Sequence, residues 1–177
     1  MTSLFQSVKS FNFLKSCQSW ILPAILVGGF WGMPAQAQSD AEVSALVEAL
    51  RLAAPDTGIE NDGLYSDWQI KADNIVGWSK FCKQPTTVPE FVQNFEVAQA
   101  IVTCVVADLL YEEYGASGND LTQAVERSAS WWMTGDSTAY LTDPTIAEYT
   151  QVVLDFFNPH SAGLPPRSRI STCHSNK

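Results

Sequence analysis

Phe95-Glu-Val-Ala-Gln-Ala-Ile-Val-Thr-Cys-Val-Val-Ala-Asp-Leu-Leu-Tyr-Glu-Glu-Tyr114 is the longest apolar-rich run outside the N-terminus, and its reading decides the fold. At 100° per residue, Val97, Ile101, Cys104 and Val105 fall on one side, with Ala98, Val102 and Leu109 beside them. Glu96, Gln99 and Thr103 share the opposite side. This spacing predicts a helix with a wide apolar face. At 1.5 Å per residue it runs for about 30 Å, the width of a small domain. Glu96, Asp108, Glu112 and Glu113 argue against a membrane span, because a charge near a bilayer centre costs about 2.5–3.5 kcal/mol. Gly115, Gly118 and Asn119 supply the C-terminal stop. The expectation is a central helix, about residues 95–114, sheathed by shorter amphipathic helices.

Shorter periodic segments lie on both sides of this rod. Ser39-Asp-Ala-Glu42 reads as a capping box, followed by Val43, Leu46, Val47 and Leu50 at helical spacing, with Pro55 as the stop. Residues 56–66 read as a loop. The acids of this loop do not follow the EF-hand order, so it is expected to be solvated and to hold no metal. A short helix follows, capped by Asp73 or Asn74 and weakened by Gly77. Pro89-Glu90 opens a further turn that ends near Asn94. Asn119 or Asp120 caps a helix with Leu121, Val125, Ser128, Ala129 and Trp132 on one face, ended by Gly135. Asp143-Pro144 opens the last helix, with Ile146, Tyr149, Val153 and Phe156 on its face, and Asn158-Pro159 ends it. No sustained period-two alternation occurs, so the fold class is all-α, a bundle of four to six helices spanning 38–158. The serine- and proline-rich stretch 159–177 reads as a disordered, weakly basic tail.

Residues 1–37 have the order of a secretory signal peptide. Lys9 and Lys15 give a positive start, Trp20 to Trp31 an apolar stretch, and Ala35-Gln-Ala37 a cleavage site after Ala37. An uncleaved anchor is the alternative reading of the same residues. After cleavage no membrane span is expected, and the destination is the periplasm, the thylakoid lumen or the medium. Residues 38–177 carry a net charge of −11, against −9 for the whole chain, because Lys9 and Lys15 are the only charges before Asp40. Such an acidic chain is repelled by nucleic acid, which excludes that class of partner. In an oxidising compartment Cys82 and Cys104 are expected to pair, with two buried thiols as the alternative; Cys173 is left over.

The chemistry permitted by the residues is narrow. His160 and His174, the only histidines, lie at or beyond the last helix, so a Ser-His-Asp or Cys-His set in the core is not available. No CxxC, GxGxxG or GxxxxGK[ST] is present, and no metal or cofactor is expected. Asp108 and Glu112, one turn apart, are the candidate catalytic carboxylates, in the manner of a glycan hydrolase. The competing reading has Arg127 neutralising them across a helix interface. Trp131 and Tyr140 are candidate binding residues. Trp131 and Trp132 point about 100° apart, so Trp132 enters the core while Trp131 anchors a partner or covers a helix seam.

The strings Ala100-Ile-Val-Thr-Cys-Val-Val106, Trp131-Trp-Met-Thr-Gly-Asp136 and Glu148-Tyr-Thr-Gln-Val-Val-Leu-Asp-Phe156 resemble an uncharacterised family of small exported proteins associated with cyanobacteria. The resemblance spans residues 68–157 and implies export, but no activity and no site residues. The expected function is a non-enzymatic binding or accessory protein with an unspecified protein or small ligand as partner. A carboxylate-dependent cell-wall hydrolase and a structural component of an assembly are the alternatives.

Overall fold

The computed structural model describes residues 39–59 and 62–161, all within one compact unit; the signal-peptide reading of 1–37, Cys173 and the tail from residue 162 lie outside the described residues. Helix α1, Asp40–Leu52, begins at the capping box: the Ser39 hydroxyl accepts from the Glu42 N–H, and the Glu42 carboxylate accepts from the Ser39 N–H. Val43, Leu46, Val47 and Leu50 are its buried stripe. The chain then makes a long excursion before α4. Strands β1, Leu64–Tyr65, and β2, Ile70–Lys71, pair antiparallel around a turn. That turn drops Trp68 into the core, where its indole N–H donates to the Val47 carbonyl at 2.9 Å.

Helix α2, Ala72–Phe81, starts earlier than expected and is capped by neither Asp73 nor Asn74. The strand β2 runs directly into it, so Lys71 occupies the cap position and offers no side-chain bond. Helix α3, Val88–Gln93, is capped by Thr87. Asn94 ends α3 and caps α4, its side chain accepting from the Val97 N–H at 3.2 Å. Helix α4, Phe95–Ala116, is the predicted rod, extended two residues past Tyr114. Asp120 caps α5, Leu121–Thr134, which ends at Gly135 with φ +79°, the left-handed conformation that a glycine tolerates. A 3-10 turn, Ala139–Leu141, leads to α6, Pro144–Ser161.

Two expectations about α6 need correction. The helix continues through Asn158-Pro159 to Ser161, so the expected boundary at 158 falls inside it. A proline this close to a helix end removes one backbone bond in the final turn and leaves the earlier turns intact. Its buried side chains are Thr150, Val153, Leu154 and Phe157, while Ile146, Tyr149 and Phe156 are half-buried. The stripe is wider and rotated because α6 meets two neighbours, α1 and α5.

The main packing contacts are α1 with α6, α6 with α5, α5 with α4, and α4 with α1. These four contacts close a ring around one apolar core that includes Leu46, Leu50, Ile101, Val106, Val125 and Val153. Helix α4 also meets α2 and α3, so it touches more helices than any other element. The Cys82–Cys104 disulfide forms, joining the end of α2 to the middle of α4 with Cα atoms 6.1 Å apart. Replacing fully buried Ile101 by alanine is expected to cost about 3 kcal/mol in urea unfolding. Replacing Val152, on the exposed side of α6, is expected to cost less than about 0.5 kcal/mol in the same measurement.

Candidate functional site

Helix α4 carries a carboxylate into its contact with α5, but it is Glu113 rather than Asp108 or Glu112. Glu113 is 8% exposed. Its Oε2 accepts from Arg127 Nε at 2.6 Å, and its Oε1 accepts from the Ser137 hydroxyl. One carboxylate thus ties α4 to α5 and to the loop after α5. The expectation that Arg127 neutralises Asp108 and Glu112 is therefore corrected by one residue. The helical wheel explains the shift. Glu113 lies three residues after Leu110 and seven after Val106, in line with the part of the stripe that meets α5. Asp108 and Glu112 stand at the edge of the stripe and are exposed. Burial, then the neighbouring Asp108 and Glu113 charges, push the Glu112 carboxyl above its ordinary value.

The Trp131-Trp-Met-Thr-Gly-Asp136 string builds the loop that holds Ser137 in place. The Ser130 hydroxyl donates to the Asp136 carbonyl at 2.7 Å and accepts from the Tyr140 N–H at 3.3 Å. The Thr134 hydroxyl donates back to the Ser130 carbonyl at 2.8 Å. Asp136 Oδ1 accepts from both the N–H and the hydroxyl of Thr138. Trp132 packs on the core, its ring 5.1 Å from that of Trp78. Trp131 is half-buried. Tyr140 is half-buried too, close enough to the Glu113 corner for its charges to act on the phenol. Burial first, then Glu126, raises the Tyr140 phenol, and Arg127 opposes them.

Trp131, Tyr140, Asp108 and Glu112 do not line the shallow depression that lies along α4. That depression, about 410 Å³ and open to solvent, lies at the other end of α4. It is lined by Gln84, Pro85, Glu90, Asn94, Glu96, Val97 and Ala100. No group of three or more metal-ligating side chains occurs among the described residues. Nor is any helix there long and apolar enough to cross a membrane.

The depression opens onto a feature that the sequence reading overlooked. Val97, Ala100, Cys104, Ala107, Tyr111 and Tyr114 follow one another at spacings of three and four residues along α4. Such spacing puts them on one face, turned away from the ring-facing stripe of Ala98, Ile101, Val102, Val105, Val106 and Leu109. Ala100 is exposed and Tyr111 is 62% exposed, while Val97, Cys104 and Ala107 are half-buried. The rod is apolar on two faces, and the second is partly covered within the chain: Val97, Ala107 and Tyr114 pack against the edge of the core and Cys104 is bonded to Cys82, which leaves Ala100 and Tyr111 exposed. The signal was present in the sequence, because α4 has few polar residues between Ala100 and Ala107. The wide-face reading merged both stripes into one.

Comparison with protein-family models, with curated proteins and with solved structures finds no match. Two outcomes are expected at the Glu113 corner and its neighbour. Arg127→Met leaves the Glu113 carboxylate buried without its cation and is expected to cost about 3 kcal/mol in urea unfolding; Glu113→Gln added to it is expected to recover part of that loss. Glu112→Gln is expected to stabilise the fold at pH 7, by less than about 0.5 kcal/mol for so exposed a pair. The folded-state pKa of Glu112 lies above its unfolded value. Its penalty therefore appears as pH rises through that folded value, and the gain is expected to vanish in melts below about pH 4.

Proposed function

We propose that the protein is a non-enzymatic binding or accessory protein of an extracytoplasmic compartment, and that the outer face of α4 is its contact surface. The observation that carries this reading is the exposed part of the second stripe, Ala100 and Tyr111, with half-buried Val97 and Ala107 beside them. Small residues at 100 and 107 let a partner backbone come close, and exposed Tyr111 supplies the aromatic anchor common at binding hot spots. Glu96, Asp108 and Glu112 flank the stripe. The partner surface that fits is an amphipathic helix with basic residues beside its apolar stripe. Trp131 and Tyr140 are secondary candidates, half-buried behind the loop after α5. Export rests on the order of residues 1–37, and kinship with the exported cyanobacterial family rests on the three strings quoted above.

A glycan hydrolase has one observation in its favour, the raised Glu112 carboxyl next to Asp108. Against it, both acids project from one turn of one helix, whereas hydrolytic carboxylates flank the scissile bond from two sides. Unchanged cleavage of peptidoglycan by the Asp108→Asn/Glu112→Gln protein would remove this reading.

The binding reading is tested by a photo-crosslinking residue placed at 107, 111 or, as a control, exposed Glu148 in the producing cell. Positions 107 and 111 are expected to give the same discrete protein adduct, and position 148 none. Adducts that do not depend on position would overturn the assignment. Intact mass of the extracted protein is expected to place its first residue at Gln38; a chain that retains Met1 in the membrane fraction would overturn the export assignment.

A further inference from the structure

We infer that the Cys82–Cys104 disulfide is a redox latch: its reduction releases α2 and α3 from α4 while the four-helix ring stays folded. Beyond the disulfide, helix α2 is held to the ring by Ile75 in the core and by half-buried Trp78 against Trp132. Its N-terminal cap makes no side-chain bond, Gly77 sits in its interior, and only Ile75 and Ser79 are buried. Its main packing partners are β2, α3 and a short part of α4, outside the chain of contacts that closes the ring. The disulfide is a second covalent link between this corner and α4, in addition to the chain itself at Asn94.

Both cysteines are half-buried, so a small dithiol or a dithiol oxidoreductase reaches the sulfurs at the surface. One thiolate of the reductant attacks one Sγ, the Sγ–Sγ bond breaks, and the other cysteine leaves as a thiolate. The second thiol of the reductant then attacks the mixed disulfide. Two electrons and two protons pass to the protein, which gains two thiols, and the reductant becomes a disulfide.

Opening the corner uncovers the apolar side chains it now shields. Phe91 is fully buried on α3, and Trp78 on α2 lies against Trp132 of the ring. These sit at the same end of α4 as the depression lined by Val97 and Ala100. The latch does not depend on the partner proposed above, since it concerns only which part of the chain the disulfide holds.

Amide hydrogen exchange on the full chain tests it, with Cys17→Ser and Cys173→Ser so that one pair alone is read. Dithiothreitol is expected to accelerate exchange in α2 and α3 by on the order of tenfold or more. Amides of α1, α5 and α6 are expected to keep their protection. Gly77→Ala, at a helical site with nothing within 4 Å of an added Cβ, is expected to slow α2 exchange in the reduced protein about fivefold. Equal acceleration in all helices would make the disulfide a clamp on the whole fold. Unchanged exchange in α2, or a disulfide that resists the dithiol in the folded protein, would equally end the proposal.

Discussion

The closure of four helices on one apolar core is the constraint on which the rest depends. The first and last helices of the described chain, α1 and α6, pack directly on each other, and each also meets one of the antiparallel-linked pair α4 and α5. Leu46 and Leu50 of α1 and Val153 of α6 are fully buried in the same cluster as Ile101 and Val125. Side chains buried on this scale dominate the stability of a domain of this size. The excursion between α1 and α4 sends Trp68, Ile70, Ile75 and Phe91 into the same core. It is fastened at its start by the Trp68 indole on the Val47 carbonyl and at its end by the disulfide.

Polar groups enter this core sparingly, and each does a local job. Glu113 reaches Arg127 and Ser137 together, which fixes the angle between two helices and the loop that leaves one of them. Isolated, such a carboxylate is costly to bury; paired and hydrogen-bonded, it sets geometry more than it adds stability. Ser130 and Thr134 spend their hydroxyls on the same loop. Helix α4 therefore has three distinct surfaces: an apolar one for the ring, a charged one for the loop corner, and an outer apolar one that the disulfide to α2 partly covers.

Much of this was legible in the residues. The rod at 95–114, the capping box at Ser39, the Asp120 cap, the Gly135 stop and the Cys82–Cys104 pair all rest on short-range rules: periodicity, side-chain oxygens next to free N–H groups, and a scarcity of cysteines. What was not legible depends on where neighbours sit. Choosing between Glu112 and Glu113 requires knowing that α5 lies about 100° around α4 from the side first chosen. The start of α2 is set by the strand pairing before it, and that strand is too short to show alternation. The face of α6 is set by having two partners instead of one. The outer stripe of α4 was hidden by its own abundance, since a rod rich in apolar residues reads as one broad face until the neighbours are in place.

The pairing of α1 with α6 has a consequence for the order of events in the cell. The ring cannot shut until the segment ending at Ser161 exists, because the helix that completes it is the last of the described helices in chain order. A nascent chain holding only α1 to α5 leaves the inner sides of α1 and α5 wet. Contacts between distant parts of a chain form late, after the ends have been brought together. The core of such a polypeptide is completed only once α6 has folded back onto α1.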